Sequence, residues 1–151
     1  VINGGCSARP QLEEEAKGLD NVVFVDFQPK ERLPEVLAAA DIHVVPLRRG
    51  LARSSVPSKT YSILAAGRPV VASVDDGTEV DRVVKGAGAG LAVPPDDPDA
   101  FAAALATLLA DPERAQAMGR AGRAFIEAWA SPAAIAERYE ALFTELRSRP
   151  R

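Results

Sequence analysis

Short apolar runs alternate along the chain with stretches whose apolar residues recur at helical spacing. The runs lie at residues 22–25 (Val-Val-Phe-Val), 42–45 (Ile-His-Val-Val), 70–72 (Val-Val-Ala) and 91–93 (Leu-Ala-Val), and Val1-Ile2 reads as the tail of another strand. Unbroken β-branched runs of this length predict strands covered on both faces. Between them the spacing predicts helices over residues 10–17, 33–40, 58–66 and 79–84. Gly67 followed by Pro69 stops the third helix, because glycine accepts the left-handed backbone past a helix end and proline cannot continue it. Strands alternating with helices predict an α/β domain built on a parallel sheet.

After Val93 the pattern changes. Pro94-Pro95-Asp96-Asp97-Pro98 reads as a turn that feeds three consecutive helices. Phe101, Leu105, Leu108 and Leu109 are expected on one face of the first, and Met118, Phe125, Ile126 and Trp129 on one face of the second. Ser131-Pro132 supplies a cap and a first-turn proline for the third, whose stripe is Ile135, Tyr139, Leu142, Phe143 and Leu146. These stripes read as core or interface rather than as a cofactor site. The alternating part occupies residues 1–95, and residues 96–151 add C-terminal helices to the same domain.

Composition narrows the class. A chain of 151 residues with 47% hydrophobic and 26% charged residues suits one globular domain with a single core. No apolar run approaches the roughly 20 residues that span a bilayer, and no basic segment precedes an apolar one as in a signal peptide. The first residue is Val1, which fits an excised or truncated segment. Net charge is −3 with the two signs interspersed, so nucleic acid is not an expected partner. Cys6 is the single cysteine, which excludes an internal disulfide and a thiolate metal cage, and no metal site is expected. The single histidine, His43, lies within a strand and reads as a packed side chain, which leaves Cys6 without a base to activate it. The expected location is the cytoplasm, with a peripheral position at the inner membrane as a variant.

The segment richest in chemistry is residues 55–73, SVPSKTYSILAAGRPVVAS. It reads as loop, helix, glycine stop and strand. Pro57 and Ser58 suit a first turn, and Lys59 follows at once. A helix start offers unpaired N–H groups and partial positive charge, both of which favour a phosphate, and Lys59 adds a full charge. On the residues alone an anion site and an ordinary capped helix both stand. The segment lacks the spacing of a Walker loop. A second candidate is Asp26-Phe27-Gln28-Pro29 at the end of the strand at 22–25, because ligands of open parallel sheets bind beyond the carboxyl ends of strands. Phe27 there is either a stacking surface for a base or a packed turn residue. Gly4-Gly5 reads as the end of a strand. Glu79 either faces a ligand or favours the first turn of its helix.

Linked blocks at matching spacing across nearly the whole chain carry a family resemblance. "ADIHVVPL" at residues 40–47, "VPSK" with "LAAGRPVVA" at 56–72, and "GLAVPPDDPDAFAAAL" at 90–105 resemble family-4 glycosyltransferases of the GT-B fold, notably bacterial enzymes of the colanic-acid and exopolysaccharide type. The resemblance implies a Rossmann-like sheet, the C-terminal half of a GT-B fold, facing an N-terminal domain across a cleft. It implies transfer from a nucleotide diphosphate sugar with retention of configuration, with no cofactor and no metal. By position, Phe27, Gln28 and Pro29 contact the base, and Val56, Pro57, Ser58, Lys59 and Thr60 hold the diphosphate. Ser54 and Ser62 stand where the family's Glu-x7-Glu motif has its glutamates. Serine offers one hydrogen bond there, not a charged bidentate pair.

The family's catalytic basic pair lies on a first strand, loop and helix that are expected upstream of this chain. In a 3-2-1-4-5-6 sheet that strand is central, so the strands at Val1-Ile2 and at 42–45 are expected to show unpaired edges. No turnover is expected from this segment alone. Two other readings remain open: a nonenzymatic module that binds a nucleotide or a partner, and a sugar-nucleotide epimerase fragment, for which one histidine is a thin acid–base supply.

Overall fold

Every predicted apolar run forms or borders a strand, and the connections carry helices. The computed structural model describes residues 1–5, 7–51 and 54–148, so Cys6 and the reading attached to it lie outside the described residues. The order is β1 (Ile2–Asn3), α1 (Arg9–Glu15), β2 (Phe24–Val25), a 3-10 turn (Lys30–Arg32) running into α2 (Leu33–Ala38), β3 (His43–Pro46), α3 (Ser58–Ala65), β4 (Val70–Ser73), α4 (Glu79–Gly86), β5 (Gly90–Val93), α5 (Pro98–Ala110), α6 (Pro112–Trp129) and α7 (Pro132–Ser148). Backbone proximity divides the chain into two compact units, Val1–Val36 and Leu37–Arg151.

In the first unit β1 and β2 pair in parallel, Ile2 opposite Phe24 and Asn3 opposite Val25. The strand expected over 22–25 is shorter than its apolar run. Val22 spends its N–H on Leu19 O in the preceding turn, and the two-residue partner offers no further ladder. No described residue of this unit is fully buried. A polar tie does part of the work instead: the Arg9 guanidinium donates to Gly4 O and to Asp26 Oδ1, both at 2.9 Å, and lies over the Phe24 ring.

In the second unit β3, β4 and β5 form a parallel sheet in that order, with His43 opposite Val70 and Val70 opposite Gly90. β4 is central and buried throughout. Its alternation sorts the core: Val70 and Ala72 pack with Ile63, Leu64, Val80, Val83 and Val84 of α3 and α4, while Val71 packs with Ala104, Leu108 and Ala115 of α5 and α6. The 42–45 run departs from the expected covering on both faces. Val45 is buried but Val44 stays 46% exposed, and among the described residues β3 pairs with β4 alone. Among the described residues β1 likewise has β2 as its one strand neighbour, so each of these strands has one edge that no strand pairs, as expected.

Three Asp-Pro or Ser-Pro steps start the C-terminal helices. Asp97 accepts from Ala100 N at 2.9 Å, Asp111 from Arg114 N at 3.0 Å and Ser131 Oγ from Ala134 N at 3.2 Å, each followed by a proline whose missing N–H costs nothing there. Leu108 is buried and Phe101 and Leu105 are half-buried, but Leu109 is exposed, one position round the helix from the covered face. Phe125 stacks on Trp129 with ring centres 5.5 Å apart. The whole α7 stripe, Ile135, Tyr139, Leu142, Phe143 and Leu146, is exposed.

Candidate functional site

The start of α3 lies on the edge of the second unit where the parallel strands end. β3, β4 and β5 stop at Pro46, Ser73 and Val93, and the ladder runs on for one more bond at each step, Leu47 N to Ser73 O and Val74 N to Val93 O. The loop after β3 then leads through Val56 and Pro57 into α3. Pro57 is extended (φ −63°, ψ 113°), and no side chain caps the helix. Lys59 is exposed and has no ion-pair partner among the described residues. One position on, Thr60 is 1% exposed and its hydroxyl has no hydrogen-bond partner among the described residues. An uncapped helix start and a free ammonium suit an anion, and the orphaned Thr60 hydroxyl sits just inside them on the buried face that carries Ile63 and Leu64.

The helix is placed by its other face and by its far end. Ile63 and Leu64 are buried against the sheet. At the far end Gly67 takes the left-handed conformation (φ +70°) that the sequence pattern predicted. Its carbonyl is met by α6 so closely that a Cβ on Gly119 would stand 2.2 Å away. Arg123 also donates to Ala65 O at 3.1 Å, satisfying a carbonyl at the helix end.

Ser62 is half-buried and brings no charge, and Ser54 Oγ donates to Leu51 O at 3.2 Å. Glu79 stands in the first turn of α4. It accepts from Tyr61 Oη at 3.4 Å and pairs with Arg82 at 3.1 Å. Burial, and then the charge of Glu79, raises the Tyr61 phenol above its ordinary pKa. His43 is half-buried with Nε2 2.8 Å from Leu37 O, as a packed histidine should be. A recess of about 460 Å³ opens nearby, lined by Pro46, Arg48, Ser73, Asp96, Asp97 and Phe101. Lys59 and Thr60 are not among its walls. This open recess and the start of α3 are therefore separate features.

Sequence reasoning missed what holds the approach to that helix. Asp75 accepts from Gly50 N at 2.6 Å and Asp96 from Arg49 N at 3.2 Å, joining the loops after β4 and β5 to the loop after β3. Asp96 lies in the block at 90–105, but neither hydrogen bond can be read from local spacing, because the partners are distant in sequence.

In the first unit, Phe27 follows β2 and is 81% exposed, so it is not a packed turn residue. One side of its ring lies against the backbone at Gly4, where a Cβ would stand 3.3 Å from the ring. Gln28 donates to Asp26 O at 3.0 Å and accepts from Arg32 at 3.4 Å, and Pro29 is exposed. Gly4, just past β1, has φ +107° and ends the strand as expected. Among the described residues no group of three or more His, Cys, Asp or Glu side chains can hold a metal ion, and no helix is long and apolar enough to cross a membrane.

Parallel strands with flanking helices and an open helix start at their carboxyl ends define an α/β fold of the kind that binds nucleotides. The chain belongs to the group 1 glycosyl transferases, whose family model matches residues 1–111. It is 32% identical over 114 residues to a putative colanic acid biosynthesis glycosyl transferase, WcaI, of Escherichia coli, covering 75% of this chain and 28% of that protein. It is 39% identical over 129 residues to a GDP-mannose-dependent alpha-(1-6)-phosphatidylinositol monomannoside mannosyltransferase of Mycolicibacterium smegmatis, covering 82% and 33%. Over 66 residues it is 41% identical to a probable glycosyltransferase, WbjE, of Pseudomonas aeruginosa, covering 44% and 16%. The structure is similar to sucrose-phosphate synthase from Thermosynechococcus elongatus, with a TM-score of 0.75 at 30% identity, over 93% of this chain and 34% of that one. The fold is thus that of the GT-B glycosyltransferases, as the resemblance implied. The chain spans a third or less of the length of these three relatives.

Proposed function

We propose that the chain is the donor-nucleotide-binding part of a retaining glycosyltransferase that moves a sugar from a nucleotide diphosphate sugar to an acceptor in bacterial cell-surface polysaccharide synthesis. The observation that carries this reading is the start of α3, with Lys59 unpaired and the Thr60 hydroxyl buried without a partner. In the reaction the bond from the anomeric carbon to the diphosphate breaks and negative charge collects on the diphosphate oxygens. The helix start and Lys59 stabilise that charge, which lowers the barrier as well as binding the donor. Val56, Pro57, Ser58, Lys59 and Thr60 take the diphosphate. The family resemblance assigns the base to Phe27, Gln28 and Pro29 and the ribose to Ser62, and Glu79 completes the donor set. An N-terminal GT-B domain supplies the acceptor site, no metal or cofactor enters, and the enzyme works in the cytoplasm, peripherally at the inner membrane.

Calorimetric titration with GDP and with UDP tests this, beside a Lys59→Ala variant. Saturable binding of one nucleotide is expected, weakened roughly tenfold by loss of one charged contact. A folded chain that binds neither nucleotide, or a variant that binds as well as the parent, overturns the assignment. A nonenzymatic nucleotide-binding module is the second reading, favoured by the serines at 54 and 62. It predicts the same binding without transfer in the full-length protein.

A further inference from the structure

The donor-site helix is reached through a loop that two carboxylates hold from beneath. Asp75 sits two residues past β4 and Asp96 three past β5, and they accept from the consecutive N–H groups of Gly50 and Arg49. The Arg49 guanidinium returns across the same gap, donating to Pro95 O at 3.1 Å and lying 3.9 Å from Asp96. Ser54 N and Ser55 N both reach Leu51 O at 3.1 Å, and Val56 and Pro57 then lead into Ser58.

Two features argue that this arrangement is specified. Hydrogen bonds from backbone N–H to an ionised carboxylate are about twice as strong as neutral ones, and here two act on adjacent residues. Asp96 also adopts φ +58°, the one positive φ at a non-glycine among the described residues. Most side-chain-bearing residues disfavour that conformation, and aspartate is among the few that take it readily, so the residue type at 96 suits the turn that presents its carboxylate.

We propose that Asp75 and Asp96 are positioning residues that fasten the β3–α3 loop and so set where Ser58, Lys59 and the first N–H groups of α3 meet the diphosphate. An untethered loop would have to be ordered when the ligand binds, and that ordering subtracts from affinity. The tether itself is independent of any ligand. Its consequence for binding rests on the donor-site reading above.

The test compares Asp75→Ala, Asp96→Ala and the matching asparagine variants by GDP titration, by amide hydrogen exchange at Arg49, Gly50 and Thr60, and by thermal midpoint. Asparagine keeps a carbonyl oxygen that can accept the same N–H. Each alanine variant is expected to bind GDP about tenfold more weakly, with exchange accelerated at all three amides and the midpoint nearly unchanged. Each asparagine variant recovers most of the affinity. Asp76→Asn, in the same loop but paired with Lys85, binds as the parent does. Alanine variants with parental affinity, or asparagine variants as weak as the alanine ones, overturn the proposal. If the parent binds UDP alone, the same comparison is made with UDP, and if it binds neither GDP nor UDP, the donor reading fails by itself. Unaltered exchange at Arg49 and Gly50 in the alanine variants would then overturn the tether.

Discussion

Thr60→Val separates folding from ligand binding because the two effects have opposite signs. The Thr60 side chain is 1% exposed and its hydroxyl has no partner. A buried polar group left unpaired costs about 1–3 kcal/mol, while valine fills the same shape with a methyl group. Removing the hydroxyl without opening a cavity should therefore stabilise the ligand-free chain by about 1 kcal/mol or more. For a domain of this size each such unit raises Tm by about 2–4 °C. If the hydroxyl serves the phosphate, the same variant must bind GDP more weakly, by about tenfold for one hydrogen bond to a charged group. Thermal denaturation with and without GDP reads both effects. At a concentration of about 100 times its Kd, GDP adds roughly 2.7 kcal/mol to the parent, and the variant with a tenfold larger Kd gains only about 1.4 kcal/mol. A fall in Tm without ligand would mean the hydroxyl has a partner and the site argument is unsound. A rise in Tm with an undiminished GDP increment would mean the hydroxyl is buried for no purpose of binding.

Other expectations concern the frame that carries the site. Gly119→Ala should destabilise the chain by about 1–3 kcal/mol, since its Cβ would stand 2.2 Å from Gly67 O and the helix-propensity gain of about 1 kcal/mol cannot offset a backbone clash. Gly86→Ala, with open space around its Cβ, should stabilise by about 0.4–1 kcal/mol, and an unchanged Tm for Gly119→Ala would refute the α3–α6 contact. Hydrogen bonding to Lys85 lowers the Asp76 carboxyl, and hydrogen bonds to Asp81 and then Asp76 raise Lys85. A depressed carboxylate contributes above its unfolded value and loses that contribution as pH falls through its folded value. The acid effect of Asp76 therefore lies below 3.8, and that of Lys85 above 10.5, where a raised amine loses its contribution. An NMR titration placing Asp76 at or above 3.8 would refute the pair.

Local chemistry was legible in the sequence where its cause is local. Pro57 and Ser58 opening α3, Gly67 closing it, and the three proline-started helices all follow from backbone rules within a few residues. The lengths of β2 and the exposure of Val44 do not, because they depend on which strand lies alongside. The 42–45 and 70–72 runs look alike as sequence, yet one sits at a sheet edge and the other at its centre. The same holds for the site. Lys59 and Thr60 could be named from their place at a helix start, but the burial of the Thr60 hydroxyl comes from tertiary packing. The carboxylates on Arg49 and Gly50 come from 47 and 25 residues away, and no motif spacing encodes them. Phe27 stood equally as packed or exposed until the structure left its ring open.

The parallel sheet explains why these groups meet at one edge and which of them the chain can vary. In-register parallel strands release their chains side by side, so the loops after β3, β4 and β5 must diverge from a common edge. Asp75 and Asp96 can reach the β3–α3 loop only from such exits, whereas an antiparallel sheet would send alternate exits to opposite ends. In the proposed site, what the edge would offer a diphosphate is largely main chain: the N–H groups of a helix start, assisted by Lys59. If Ser54 and Ser62 stand in for motif glutamates, as the resemblance implies, that main-chain contribution is unaffected. Ribose and sugar contacts depend on side chains, and a serine provides one neutral hydrogen bond where a carboxylate provides charged, paired ones. Phosphate binding should thus survive in this sequence even if the sugar and ribose contacts have been rebuilt. Affinity for a bare nucleoside diphosphate should then approach that for its sugar conjugate, because the diphosphate carries most of the binding.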